Sequence, residues 1–375
     1  MLIFLLGFVA IGVAMSWAVA ACCLRGEDLS AFDLPAGHRM SAGAEPSAEL
    51  EAVVASLAGM RHALRRVPLR GRIAALRRSI DELFGNRAFD ATFVPVDCAG
   101  VPAEWVLSPG ADGLRRTLYI HGGGFVIGSP RSHRTLTTRF SVMTGGAVLA
   151  IDYRLMPEHR RQAGIADCRT GYRWMLENGP EGRRAAQAVF VAGESAGGNL
   201  ALSLIAWVRD QGLRAPDAAV ALSPVTDATL ASPSLRANRR TDAMLGPLYG
   251  PLARLPQWVL LWMAWIVNRV RPSDPEISPV YGDLSNLPPV LVQASEAEML
   301  LDDGRRYVNR ARAAGSPATL QTWRHVVHAW QIFNPELPEA ADALAEIDKF
   351  LAAAAPRSDG ANAVADQRRE VARPP

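Results

Sequence analysis

The chain has 375 residues, 49% hydrophobic and 21% charged, which suits one large globular domain with appendages and excludes a disordered, solvating chain. Forty Lys and Arg against 37 Asp and Glu leave a formal charge of only +3, so nothing points to a nucleic-acid partner. Two of the four cysteines, Cys22 and Cys23, lie in an apolar segment; Cys98 and Cys168 stand far apart, and no disulfide framework is implied.

Residues Leu2 to Leu24 carry no charge and are long enough to cross a bilayer as a helix, so residues 1–24 read as a transmembrane anchor or a signal segment. A buried core helix is the blander alternative. No Lys or Arg precedes the apolar stretch, which favours an uncleaved anchor, although Ala18-Val19-Ala20 resembles a small-residue cleavage site. The basic residues lie beyond it, at Arg25, Arg39 and then Arg61, Arg65, Arg66, Arg70, Arg72, Arg77 and Arg78. By the positive-inside tendency this predicts a cytoplasmic domain on a membrane anchor, with export as the alternative. Residues 45–85 predict two helices, Ala48 to Leu64 and Arg70 to Phe84. Their arginines form a solvated face or, beside an anchor, a face toward anionic lipid.

From Phe93 to a helix at Glu339 to Ala353, predicted strands and helices alternate, which implies an α/β fold with a mostly parallel sheet covered on both faces. A strand at Leu114 to Ile120 runs into His121-Gly122-Gly123-Gly124. Consecutive glycines let backbone N–H groups turn toward a ligand with no Cβ in the way, which suits a developing oxyanion; a plain connecting turn is the blander reading. A second strand, Ala188 to Ala192, runs into Gly193-Glu194-Ser195-Ala196-Gly197 and out into a helix over Asn199 to Arg209. Gly-x-Ser-x-Gly arises by chance roughly 0.15 times in such a chain and is weak alone, but strand, motif and helix in that order form a nucleophile elbow.

A hydrophobic stretch at Leu255 to Val270 follows, with Trp258, Trp262 and Trp265 on one helical face. A strand at Pro289 to Ala294 then opens an acid-rich loop containing Glu296, Glu298 and Asp302. A serine hydroxyl needs an imidazole to take its proton and an acid to fix that imidazole's tautomer. In α/β-hydrolases the acid and then the histidine follow the serine, and the only histidines after Ser195 are His325 and His328, just past a strand at Thr319 to Trp323. The base must start neutral, so activity is expected to rise with pH through about 6 to 7. No metal or cofactor is expected, because the chain has no His-Glu-x-x-His, Cys-x-x-Cys or Gly-x-x-x-x-Gly-Lys. Residues 356–375 read as a disordered tail.

Over roughly residues 90 to 355 the chain resembles the hormone-sensitive-lipase-like (bacterial family IV) carboxylesterases and lipases of the α/β-hydrolase superfamily. The likeness rests on His121 to Gly124, on Asp152-Tyr153-Arg154-Leu155-Met156-Pro157-Glu158-His159, on Gly193 to Gly197 and on Asp274-Pro275-Glu276-Ile277-Ser278-Pro279. The resemblance implies Ser195 as nucleophile, His328 as base and Glu298 as acid, where most relatives carry Asp. It also implies oxyanion donors at the amides of Gly122, Gly123 and Ala196, with His121, Gly124, Gly193 and Gly197 in support and Glu194 and Asn199 as scaffolding. Helices within residues 25–90 are then expected to cap a catalytic domain at 91–355. Residues 245–272 are expected to supply cap and pocket, with Trp258, Trp262 and Trp265 lining the alcohol or acyl site, touching a bilayer, or simply packed on the core. The implied activity is hydrolysis of small-molecule or lipid esters through an acyl-serine. Acyl transfer to another acceptor, amide cleavage and a catalytically silent binding protein are the rival readings.

Overall fold

The computed structural model describes residues 2–40 and 45–356, with side chains from residue 11 onward. Most of the expected tail at 356–375 therefore lies outside the described residues. In chain order the elements are α1 (Leu2–Val19), β1 (His38–Arg39), α2 (Ala48–Arg65), α3 (Arg72–Gly85), β2 (Thr92–Asp97), β3 (Pro102–Leu107) and β4 (Asp112–Ile120). Next come α4 (Arg134–Thr144), β5 (Gly146–Ile151), α5 (Arg161–Glu177), a small ribbon of β6 (Asn178–Gly179) and β7 (Gly182–Arg183), β8 (Ala188–Glu194), α6 (Ala196–Asp210) and β9 (Ala218–Leu222). The last are α7 (Ser234–Ala237), α8 (Gly246–Tyr249), α9 (Gln257–Asn268), β10 (Val290–Ser295), α10 (Leu301–Ala313), β11 (Ala318–Trp323) and α11 (Pro338–Ala354).

Nine strands form one sheet in the order β1-β11-β10-β9-β8-β4-β5-β3-β2. All neighbours from β1 to β5 are parallel; β3 pairs antiparallel with both β5 and β2, so β3 alone runs against the rest of this sheet. Side chains of β8 alternate between the two faces: Val189 and Val191 join a core with α5, α6 and α10, while Ala188, Phe190 and Ala192 join one with α2, α4 and α11. A strand buried on both faces needs no polar alternation, which is why this run is apolar throughout. In a parallel sheet every strand ends on the same side, so Ile120, Glu194, Leu222, Ser295 and Trp323 deliver the loops after them to one edge.

Two features depart from expectation. Residues 25–40, expected within the capping region, form an extended strap across α10 to the β11 edge of the sheet. Arg306 Nε donates to Asp33 at 2.6 Å, Asn309 Nδ2 donates to the carbonyls of Phe32 and Leu34 at 2.9 Å each, and β1 then pairs in parallel with β11. A Cβ on Gly26 would lie 2.3 Å from the Tyr281 ring, so the strap fits there only as glycine.

Second, α1 runs into a π-helical turn, Ala20–Leu24, that docks on α9. Ala20 and Leu24 are buried with Leu261 against Trp258, Trp262 and Trp265, and Trp262 Nε1 donates to Ser16 O at 3.1 Å. Among the described residues no helix is long and apolar enough to cross a membrane. The side chains of residues 1–10, on which the expected span at 2–24 partly rests, lie outside that description.

Candidate active site

The loop between β8 and α6 makes the sharp turn that its two glycines require. Ser195 sits at φ 55°, ψ −116°, a conformation that costs a non-glycine residue about 1–3 kcal/mol and turns its side chain away from both elements. The turn is held by Ser195 N–H donating to Leu222 O on β9 at 2.7 Å, and Asn199 N–H closes the first turn of α6 on Ser195 O at 3.0 Å. Backbone packs so closely here that a Cβ on Gly197 would lie 1.9 Å from Ile120 O, and one on Gly193 2.5 Å from Gly197 O.

Of the acids left open by the sequence, Glu298 is the one whose carboxylate is brought onto His328. Its Oε2 accepts from His328 Nδ1 at 2.6 Å and its Oε1 from Ser295 N–H at 2.8 Å; the carboxyl is fully buried and the ring 3% exposed. Glu296 instead accepts from Arg39 Nε and Thr322 Oγ1, and Asp302 from Ser234 N–H and Arg305. His325 lies two residues past the end of β11 at Trp323, at φ 59°. Burial works to lower the pKa of His328, but the hydrogen bond and charge of Glu298 outweigh it and hold the imidazole above its ordinary 6.5.

The segments that carry Ser195 and His328 are linked through the end of β9. Ser223, the residue after the carbonyl that holds Ser195, accepts from Ala329 N–H at 3.1 Å through its Oγ. Among the described residues Ser195 Oγ and His328 Nε2 make no hydrogen bond with each other, and such contacts commonly tighten only with substrate.

The glycine loop corrects one expectation. Gly122 N–H is already committed, donating to the Glu194 carboxylate, so it is not available to an oxyanion. A Cβ on Gly122 would meet Glu194 O and Oε1 at 2.6 Å, so the residue has to be glycine in order to reach that carboxylate. Among the described residues the amides of Gly123, Gly124 and Ala196 donate no hydrogen bond. Gly123 lies at φ 105° and Gly124 at φ 63°, backbone that glycine adopts without strain.

Glu194 therefore does more than the scaffolding role its place in the motif suggested. Its buried carboxylate also accepts from Tyr119 Oη at 2.5 Å and from His133 Nε2 at 2.7 Å. Burial pushes its pKa up, but the charge and hydrogen bond of His133 and the Tyr119 hydroxyl hold it below its usual 4.5. His133 is held above its ordinary value: burial lowers it, and the Glu194 charge more than compensates. His121 stacks on Tyr153 with centroids 4.4 Å apart and bonds Gly122 O through Nδ1 at 2.8 Å. Burial, with the nearby His133, lowers its pKa to about 3, so it is neutral support for the loop. Neither Tyr119 nor His133 carries a sequence signal.

Arg161 was also missed. Its buried guanidinium joins Asn199 Oδ1 at 2.6 Å, Asn268 Oδ1 at 3.1 Å and Ile277 O at 3.1 Å, and stacks 3.9 Å from the Phe125 ring centroid. It thereby ties α6 to the end of α9, to the Asp274–Pro279 segment and to the residue after the glycine loop.

The tryptophans are placed differently from a pocket lining. Trp258, Trp262 and Trp265 pack on Ala20, Leu24 and Leu261, so the shared face read from their spacing is turned to the N-terminal segment. Helices α2 and α3 lie at the site's edge: Arg77 on α3 donates to Val126 O at 2.8 Å and to Met156 O at 3.0 Å, and Arg61 on α2 to Ala243 O at 2.8 Å.

Among known proteins, a family model described as alpha/beta hydrolase fold matches residues 117–332. An acetyl-hydrolase of Streptomyces hygroscopicus is 36% identical over 271 residues, 72% of this chain and 85% of that protein. An esterase of Acinetobacter venetianus is 33% identical over 256 residues, 68% of this chain and 80% of its own length. A crystal structure of an esterase from the bacterial hormone-sensitive lipase family superposes with a TM-score of 0.70 at 34% identity, covering 82% of this chain and 98% of that one.

Proposed function

From the premise that this chain belongs to the hormone-sensitive-lipase-like carboxylesterases of the α/β-hydrolase fold and is a carboxylic-ester hydrolase, we propose a serine mechanism in which Ser195, His328 and Glu298 carry the reaction. Ser195 Oγ attacks the ester carbonyl while His328 Nε2 takes its proton. The carbonyl oxygen becomes an oxyanion received by the free amides of Gly123, Gly124 and Ala196. Collapse of the tetrahedral intermediate breaks the C–O bond, and the imidazolium returns its proton to the departing alcohol. Water, deprotonated by the same imidazole, then attacks the acyl-serine and releases the acid, restoring Ser195. Glu298 keeps Nδ1 protonated so that Nε2 faces the serine as acceptor, and it offsets the imidazolium charge.

The observation that carries this reading is the buried 2.6 Å contact from His328 Nδ1 to Glu298, taken with the strained backbone of Ser195. A fluorophosphonate probe tests it: wild-type protein is labelled and Ser195→Ala is not. Labelling that persists in Ser195→Ala would reject Ser195 as the nucleophile.

The protein acts at a membrane, held there by its apolar N-terminal helix, with the catalytic domain on the cytoplasmic side. What supports this is the charge-free α1, whose described residues Ile11, Val13, Met15 and Trp17 are each about half or more exposed. Removal of residues 1–24 should release the protein from the membrane fraction; unchanged partition would reject the anchor.

A further inference from the structure

Single exposed apolar side chains are ordinary, but clustering is not. Among the described residues, ten of the 16 well-exposed large hydrophobic side chains fall in residues 11–19, 248–252 and 266–267. Each of these segments adjoins α9. The second leads within five residues into α9, the third ends α9, and α9 carries the turn that follows α1.

The middle segment reaches the reaction site. A Cβ placed on Gly124 would lie 3.7 Å from Tyr249 Oη, so Tyr249 stands over the loop bearing the free oxyanion amides. Leu248 is 57% exposed, Tyr249 46% and Leu252 38%, while Gly124 is exposed and Ser195 half-buried. The mouth is thus open and apolar on the side that continues onto α9 and α1.

The exposed residues on α1 indicate what covers this surface. Ile11, Val13, Met15 and Trp17 stand at successive steps of about 200°, so they point to opposite sides of the helix. One protein groove covers one face; lipid surrounds all of them. Exposed Arg25, Arg254, Arg269 and Arg271 border the patch and suit anionic headgroups, with Glu27, Asp28, Asp274 and Glu276 the acids nearby in sequence.

We infer that the mouth formed by Leu248, Tyr249 and Leu252 opens onto the lipid in which α1 rests, so the substrates are esters held in a bilayer, entering from its surface. This rests on the membrane-associated esterase reading above, and its test separates the two. The full chain is mixed with vesicles of phosphatidylcholine and phosphatidylglycerol carrying umbelliferyl oleate, and in parallel with dissolved p-nitrophenyl butyrate. Co-sedimentation reports association, and the ratio of the two hydrolysis rates reports the mouth.

Leu248→Asp with Leu252→Asp should still sediment with vesicles through α1, while the ratio of vesicle-borne to soluble rate falls about tenfold or more. An unchanged ratio in a variant that still sediments would overturn the inference and leave membrane association standing. A wild-type chain that does not sediment would overturn both. Should that pair fail to fold, Leu248→Ser with Leu252→Ser makes the same mouth polar without adding charge and is read in the same way.

Discussion

Replacing Glu298 by Gln removes the charge and keeps the shape, so its effect follows from which atom faces which. In the wild-type protein Oε1 accepts from Ser295 N–H and Oε2 from His328 Nδ1. An amide has only one acceptor oxygen. If that oxygen stays on Ser295, the new NH2 faces Nδ1 and donates to it, so the ring's proton moves to Nε2 and the base is lost. If the amide flips, NH2 meets the Ser295 N–H in a fully buried place, leaving donors unsatisfied at about 1–3 kcal/mol, which depletes the competent tautomer roughly 5- to 150-fold. The imidazolium also loses its counter-charge. Together the two effects predict a fall in kcat of about 10³ to 10⁴ with KM little changed, since Glu298 does not touch substrate. Initial rates with p-nitrophenyl butyrate, on protein whose melting temperature and circular dichroism match wild type, decide it. Retention of more than about a tenth of wild-type kcat would refute the tautomer argument.

The raised pKa of His328 places the acid limb of kcat/KM above pH 6.5, and below the limb activity falls about tenfold per pH unit because the protonated ring cannot accept from Ser195. A pH–rate profile whose limb lies below 6.5 would contradict this. Glu194→Gln leaves His133 without its anion and should cost about 3–5 kcal/mol. Because the Glu194 pKa is depressed below 4.5, its contribution fades as pH falls beneath that value; because His133 is raised above 6.5, its contribution fades as pH rises past its folded value. The gap in melting temperature between wild type and Glu194→Gln should therefore be widest between 4.5 and 6.5 and narrow on both sides, and a gap independent of pH would count against the ion pair. Gly197→Ala would put a Cβ 1.9 Å from Ile120 O, so neither labelling by fluorophosphonate nor soluble expression at wild-type yield is expected; full labelling would show that the elbow tolerates a side chain.

The parallel sheet and the two site loops were legible in the sequence because each is a local pattern. An apolar run predicts a doubly buried strand, and glycines flanking a serine predict a turn that no other residue fits. Glu298 and the choice of His328 over His325 came from resemblance alone. The tertiary structure supplies the reason: the carboxyl of one loop is brought onto Nδ1 of a ring 30 residues away.

Local pattern could not reveal how the oxyanion loop is held. Gly122 looked like a donor to substrate, yet its amide meets a carboxylate 72 residues on, itself balanced by His133 and Tyr119. The tryptophan face was visible as a face, but its partner was not, because Trp262 and Ser16 are 246 residues apart. Sequence spacing determines which side chains share a surface; only the folded chain decides what that surface meets, since the contacts that spend a donor or bury an aromatic join residues with no pattern in common.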